Sequence, residues 1–442
     1  MLRLAGPIAL AEIGWMSMGI ADTIMVGRLP KSAEAIGAVS LGSILFYTVG
    51  MFGSGLLLGL DTLVSQAFGA GDVDDCHHSL LNSVYVSLAL APLLMALVWG
   101  FSPFLHKVGI DPGILQGAIP YLRVLTWGTL PLLLYFACRR YLQGMGVVKP
   151  VMFALVSANV VNLFGNWVLI YGHLGMPAMG TLGSGWATCI SRAYMAGVLL
   201  LAIFYHDRRY KTGLHATTLR IDPARIRRLL GLGLPAATQI TLELGAFAVA
   251  ASMIGKLGPV PLAAHQIAIN TAALTYMVPL GISSAAAVRV GQALGRGDAA
   301  RASDAGSTAL LLGAGFMSAM ALAFLLLPRF IVRVYTPEPS VMSTGVALLR
   351  VAAFFQIFDG LQTVATGALR GTGDTRTPML SHLLGYWFIG LPLGYWLCFS
   401  WNQGVVGMWI GLCVALILIG IFLFAVWHRR VPAVSTAETV QA

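Results

Sequence analysis

Charge is what this sequence has least of. Of its 442 residues only 10% are Asp, Glu, Lys or Arg, while 57% are apolar; a soluble chain carries about a quarter charged residues. That excludes an ordinary water-soluble globular protein. The five cysteines (Cys76, Cys138, Cys189, Cys398, Cys413) are scattered without CxxC or ligand spacing, so neither a disulfide framework nor a zinc site is expected. The first apolar run, Leu4 to Val26, has no A-x-A cleavage site and is followed by further runs, so it reads as a spanning helix rather than a signal peptide. HExxH and GxSxG are absent, and GTGD at 371–374 falls at a helix end where a turn is the natural reading, so an intramembrane enzyme is not expected. The net charge of +10 comes without a basic face interleaved with aromatics. Nucleic acid is therefore not an expected partner.

What is present is a series of long apolar runs, each sufficient to cross roughly 30 Å of hydrocarbon. Twelve spans are predicted, at 5–27, 35–68, 79–104, 117–143, 148–171, 180–205, 230–255, 261–294, 303–328, 344–369, 376–399 and 404–427. The fold class is an all-α membrane protein. One long polar connection, HDRRYKTGLHATTLRIDPARIRR, follows the sixth span. It divides the chain into an N-terminal six-helix lobe (1–205), a basic cytoplasmic linker (206–228), a C-terminal six-helix lobe (229–430) and a disordered tail (431–442). Most of the 27 basic residues lie at alternate ends that include this linker, so the positive-inside rule places both termini in the cytoplasm.

The halves repeat. GLLLGLDTLVSQAFGAGD (55–72) resembles GISSAAAVRVGQALGRGD (281–298), IMVGRL (24–29) echoes SMIGKL (252–257), and LQGMG (142–146) echoes LRGTG (369–373). The offsets are 226, 228 and 227 residues, too constant for chance. Six spans per repeat is an even number, so both halves enter the membrane in the same sense. Two bundles related by a pseudo-twofold axis along the membrane normal follow, with a cleft between them. Such an architecture favours a transporter.

These residues resemble the multidrug and toxic compound extrusion (MATE) family, NorM-type branch. The resemblance spans the whole chain and rests on TLVSQAFGAGD, LQGMG with the Asn-rich fifth span and LIYG, AAHQIAIN, and ALRGTGDTRTP. It implies twelve helices in two bundles and export of organic cations in exchange for Na+ or H+, with no other cofactor. A monomer in the lipid of a bacterial inner membrane is the expected state.

Five acidic residues fall inside the spans, clear of their first and last few residues: Glu12, Asp22, Asp61, Glu243 and Asp359. A charge there is expensive and usually functional. Asn162 and Asn166, i and i+4, share one face of the fifth span at about the depth of Asp22. One carboxylate with two amide oxygens suits a hard cation such as Na+, or a proton; the competing role is helix–helix hydrogen bonding. The resemblance supports these three positions and adds Thr188. Glu243 and Asp359 lie near mid-span on helices of opposite direction. They are expected to meet at one depth and hold a proton or Na+ between them, with Tyr276 nearby. The resemblance assigns such positions to cation coupling and substrate contact. Phe355, one turn before Asp359, departs from the tyrosine common in relatives, keeping a cation–π face and losing a hydroxyl. Gln266 and Asn270, another i, i+4 pair, resemble substrate-cleft positions, with helix packing as the alternative. Asp61, near a cytoplasmic end, reads as snorkelling or pairing with a basic residue, and Glu12 has no assigned role. The repeat does not duplicate the charges: Asp22 falls opposite Ala250, Glu243 opposite Trp15, and Asp359 opposite Leu132.

The expectation is a secondary antiporter. The alternative is a lipid-linked saccharide flippase of the same superfamily, which would need a cationic cavity for pyrophosphate.

Overall fold

In hydrocarbon every backbone N–H and C=O must be satisfied within its own segment, so an apolar chain of this length folds as helices. The structure, a computed structural model, describes residues 1–107 and 112–439. Among them no strand occurs; the end of the expected 431–442 tail lies outside them. Eleven helices are long and apolar enough to span: α1 Leu2–Val26, α2 Ser32–Gly69, α3 Val73–His106, α5 Lys149–Tyr171, α6 Thr181–Tyr210, α7 Pro223–Gly255, α8 Pro259–Gly295, α9 Ala299–Leu326, α10 Pro339–Gly371, α11 Arg376–Ser400 and α12 Gly404–Arg430. The remaining span, α4, is broken: Pro112–Trp127 and Thr129–Gly144 meet at 46°. The sequence predicts a single uninterrupted run at 117–143. The structure starts it earlier and bends it at Gly128.

The chain forms two compact units, one comprising Leu10–Ala237 and the other Met1–Ala9 with Thr238–Ala442. The divisions fall inside α1 and α7, 228 residues apart, the same offset as the sequence repeat. The expected boundaries at 205 and 229 thus differ from the observed ones, because the first turns of α7 pack on α2. A Cβ on Gly55 of α2 would lie 2.7 Å from the Cα of Ala237. Its repeat counterpart Gly281 of α8 would meet the Cα of Ala9 at 2.7 Å. Both glycines of the duplicated motif are therefore notches that let two backbones approach.

The motif's other end is also explained. Gly71 and Gly297 take left-handed φ of +81° and +70°, which only glycine adopts freely. The aspartates that follow cap the next helix: Asp72 accepts from the Asp75 N–H at 2.9 Å, and Asp298 from the Arg301 N–H at 2.9 Å. GTGD repeats the device, with Gly373 at +90° and Asp374 accepting from the Thr377 N–H at 3.0 Å.

In the unit holding the C-terminal half, α10 packs against α8, α9 and α12. In the other, the second half of α4 packs against α3 and α6. Asp359 lies on the first of these central helices, and its counterpart Leu132, on the second, is fully buried. The duplication of backbone without duplication of charge persists in the fold.

Candidate functional site

In the Leu10–Ala237 unit, α1 brings Asp22 to the face of α5 that carries Asn162 and Asn166, and α6 supplies Thr188. All four side chains are buried. The Asn166 amide donates to Asp22 Oδ1 at 2.5 Å and to Asn162 Oδ1 at 3.1 Å. The Thr188 hydroxyl lies 3.1 Å from Asp22 Oδ2. The Asn166 carbonyl oxygen is buried without a hydrogen-bond partner. The four residues predicted as one group are in one place, and they offer carboxylate, amide and hydroxyl oxygens. Asp22 and Thr188 also line a cavity of about 100 Å³ together with Ser40, Tyr47, Tyr121 and Arg192.

The Thr238–Ala442 unit holds the second group. Asp359 is buried on α10, and Glu243 is half-buried on α7. Gln362, one turn after Asp359, donates to its Oδ1 at 3.0 Å and lies within hydrogen-bonding reach of Glu243. Tyr276 on α8 is half-buried. Besides Gln362, two further residues that the sequence does not single out complete the group. His382 on α11 is buried, with Nε2 3.6 Å from Glu243 Oε2 and 3.4 Å from Gln239 Nε2. Its Nδ1 donates to the Pro378 carbonyl at 2.8 Å, which fixes the tautomer of the neutral ring with Nε2 as acceptor. Tyr386 packs its ring 5.7 Å from that of His382. From Leu383 to Gly390 α11 winds in wide π turns, a rare geometry that recurs at functional sites. A lone histidine in an apolar run carries no pattern, so only the fold reveals it.

Phe355 is buried with its ring 5.8 Å from that of Trp409, whose indole N–H donates to His265 Nδ1 at 3.1 Å. Gln266 and Asn270 occupy the exposed face of α8. Neither pair contacts Asp359 or Glu243 through a hydrogen bond among the described residues. The remaining acidic pair is structural in its surroundings. Glu12 forms a buried ion pair with Arg139, and Asp61 accepts from Arg140 at 3.3 Å. Arg139 and Arg140 are adjacent on α4, so one helical turn neutralises carboxylates from α1 and α2.

The MatE family model matches this chain twice, at residues 7–168 and 235–396. The chain belongs to the MatE family. The two matched segments are offset by 228 residues, the spacing of the internal repeat. A probable multidrug resistance protein NorM of Mesorhizobium japonicum is 36% identical over 439 residues, covering 97% of this chain and 93% of its own. Another, from Brucella suis biovar 1, is 34% identical over 443 residues, covering 98% and 93%. Among solved structures, a transporter of the MOP superfamily from Pyrococcus furiosus matches with a TM-score of 0.88 at 19% identity, over 98% of this chain and 96% of that one. A eukaryotic MATE transporter matches at 0.86 and 20% identity, over 98% and 97%. The MatE chain described here is an integral membrane transporter rather than an enzyme.

Proposed function

We propose that this MatE-family protein is a secondary antiporter that exports hydrophobic organic cations in exchange for Na+ or H+, by alternating access. The observation that carries the reading is the pair of acidic groups inside the spans: buried Asp22 with Asn162, Asn166 and Thr188, and half-buried Glu243 with buried Asp359 and Gln362. A buried carboxylate without a charged partner is costly in hydrocarbon. A proton, an alkali cation or an organic cation each removes that cost. Ligands competing for one negative charge are thereby coupled, provided each binds the inward and outward states with different affinity. The names of the NorM relatives, which describe multidrug resistance proteins, support an organic substrate. The distribution of Lys and Arg supports cytoplasmic termini in a bacterial inner membrane. A saccharide flippase would need a cationic pocket for pyrophosphate, and the groups described here are acidic.

The test is ethidium export from proteoliposomes under an imposed Na+ or pH gradient. The expected result is gradient-driven export that Asp22→Asn, Glu243→Gln and Asp359→Asn each impair. Full export by all three variants would falsify carboxylate coupling.

A further inference from the structure

Arg192 is an unexplained charge. It lies mid-helix in α6 and is 1% exposed. An arginine in that position is expensive unless paired or functional. No carboxylate lies within ion-pair distance of it among the described residues; Arg139 and Arg140 have theirs.

Its contacts are specific. The guanidinium sits 4.3 Å from the centroid of the Phe46 ring on α2, a cation–π contact that is strengthened when desolvated. Nη1 donates to the Leu125 carbonyl at 3.4 Å. Leu125 lies at the break in α4, where its carbonyl accepts the Gly128 N–H at 3.1 Å in a tightened turn. A Cβ on Gly128 would come within 3.1 Å of Arg192 Cδ, so glycine makes room for this arginine. Nη2 is buried and makes no hydrogen bond. The cavity that Arg192 lines has Asp22 on another wall.

We propose that Arg192 is the internal counter-cation of the Asp22 site, setting how tightly that site holds the driving cation and linking its occupancy to the break in α4. The proposal rests on the reading of Asp22 as a cation-coupling residue. With Asp22 ionised, the cavity carries one negative and one positive charge. A proton or Na+ arriving at Asp22 neutralises it and leaves the guanidinium charge uncompensated. The site then binds its cation weakly enough to release it. The other ionisable side chains lining the cavity are the phenols of Tyr47 from α2 and Tyr121 from α4, and the Tyr121 hydroxyl lies 3.1 Å from that of Ser43. Arg192 is thus the cavity's fixed cation. Once Asp22 is neutralised, the arginine is held by Phe46 and Leu125 alone. This places the electrostatic change at the span that is broken, the one such span among the described residues.

The test measures the Na+ or proton concentration giving half-maximal ethidium export from proteoliposomes of the full chain. Arg192→Met keeps the length and removes the charge. It should lower the half-saturating concentration about tenfold, the effect of one neighbouring charge, and reduce the maximal rate because release slows. Arg192→Lys keeps the charge and loses the fork that reaches Leu125. It should hold the half-saturating concentration near wild type with a lower maximal rate. An unchanged or raised half-saturating concentration in Arg192→Met overturns the proposal. Should that variant not assemble, as judged by size exclusion, a displaced concentration in Arg192→Lys overturns it instead. Asp22→Asn separates the two levels: full cation-driven export by that variant sinks the reading of Asp22 itself. Loss of export in Asp22→Asn with an unmoved Arg192→Met sinks only the role given to the arginine.

Discussion

The Asn166 side-chain amide donates to Asp22 Oδ1 at 2.5 Å, joining helices whose residues are 144 positions apart in sequence. The same amide group reaches Asn162, so Asn166 organises the oxygens around one buried carboxylate. Asn166→Ala removes both bonds. A charged hydrogen bond is worth roughly 1.5–3 kcal/mol, so the half-saturating concentration of the driving cation is predicted to change by about tenfold or more. Cation titration of ethidium export reads this directly. An Asn166→Ala protein with unaltered cation dependence would reduce the contact to helix packing.

Glu243 and Asp359 lead to a different prediction, because Gln362 lies between them. Glu243→Gln and Asp359→Asn together remove both negative charges of that unit while keeping size. Binding of ethidium in detergent should weaken by about 10–100-fold, the loss of one charge-assisted contact. His382→Asn keeps a donor for the Pro378 carbonyl and removes Nε2. It should weaken binding less than the double variant. Equal affinity for all these proteins would place the substrate elsewhere.

Glu12 and Arg139 form a pair that is buried on both sides. Breaking such a pair leaves one uncompensated charge and costs about 3–5 kcal/mol. Glu12→Leu should therefore lower the thermal unfolding temperature in detergent, and Glu12→Leu with Arg139→Met should recover most of it. A double variant no more stable than the single one would mean that the arginine, rather than the charge balance, holds α1 to α4.

Which of these groups could be read in advance depended on chemistry per residue. Asp22, Asn162, Asn166, Glu243 and Asp359 stood out because each is polar where hydrocarbon tolerates little polarity, and helical spacing alone aligned the two asparagines. The spans were legible for the same reason. His382 and Gln362 were not, since their roles come from a neighbour on another helix. Gly128 was invisible as a break. Arg192, 64 positions later, lies where a Cβ on Gly128 would sit and donates to a carbonyl of the interrupted turn, a relationship that no local pattern encodes. The unit divisions were equally hard to read: a polar loop marks where the chain leaves the membrane, whereas the compact units divide within α1 and α7, whose residues Ala9 and Ala237 approach Gly281 and Gly55.

Asp222 precedes α7 and sits outside the spans. Its carboxylate is held below the ordinary aspartate value by the backbone N–H groups of Arg225 and Ala224, at 3.2 and 3.0 Å, against the opposing effect of desolvation. A depressed value means that the cap contributes above the unfolded-state value and is lost as pH falls through the folded one. Hydrogen exchange of the Arg225 amide should thus accelerate, beyond its intrinsic pH dependence, only below about pH 4. Asp222→Asn, whose side chain accepts without titrating, should abolish that acceleration.

The duplicated turn offers the cleanest stability test, because a Cβ added to Gly297 would meet no heavy atom within 4 Å and its cost is purely conformational. The φ of +70° is left-handed, and an L-residue there costs about 1–2 kcal/mol. Gly297→Ala should destabilise by that amount. Asp298→Ala should cost about 1 kcal/mol, since it removes the acceptor for the Arg301 N–H. Gly71→Ala and Asp72→Ala test the same device in the other half, where φ is +81° and Asp75 is the donor. Unfolding in detergent followed by tryptophan fluorescence should show matched losses in the two halves. A loss confined to one half would show that the shared motif is retained for different reasons in each.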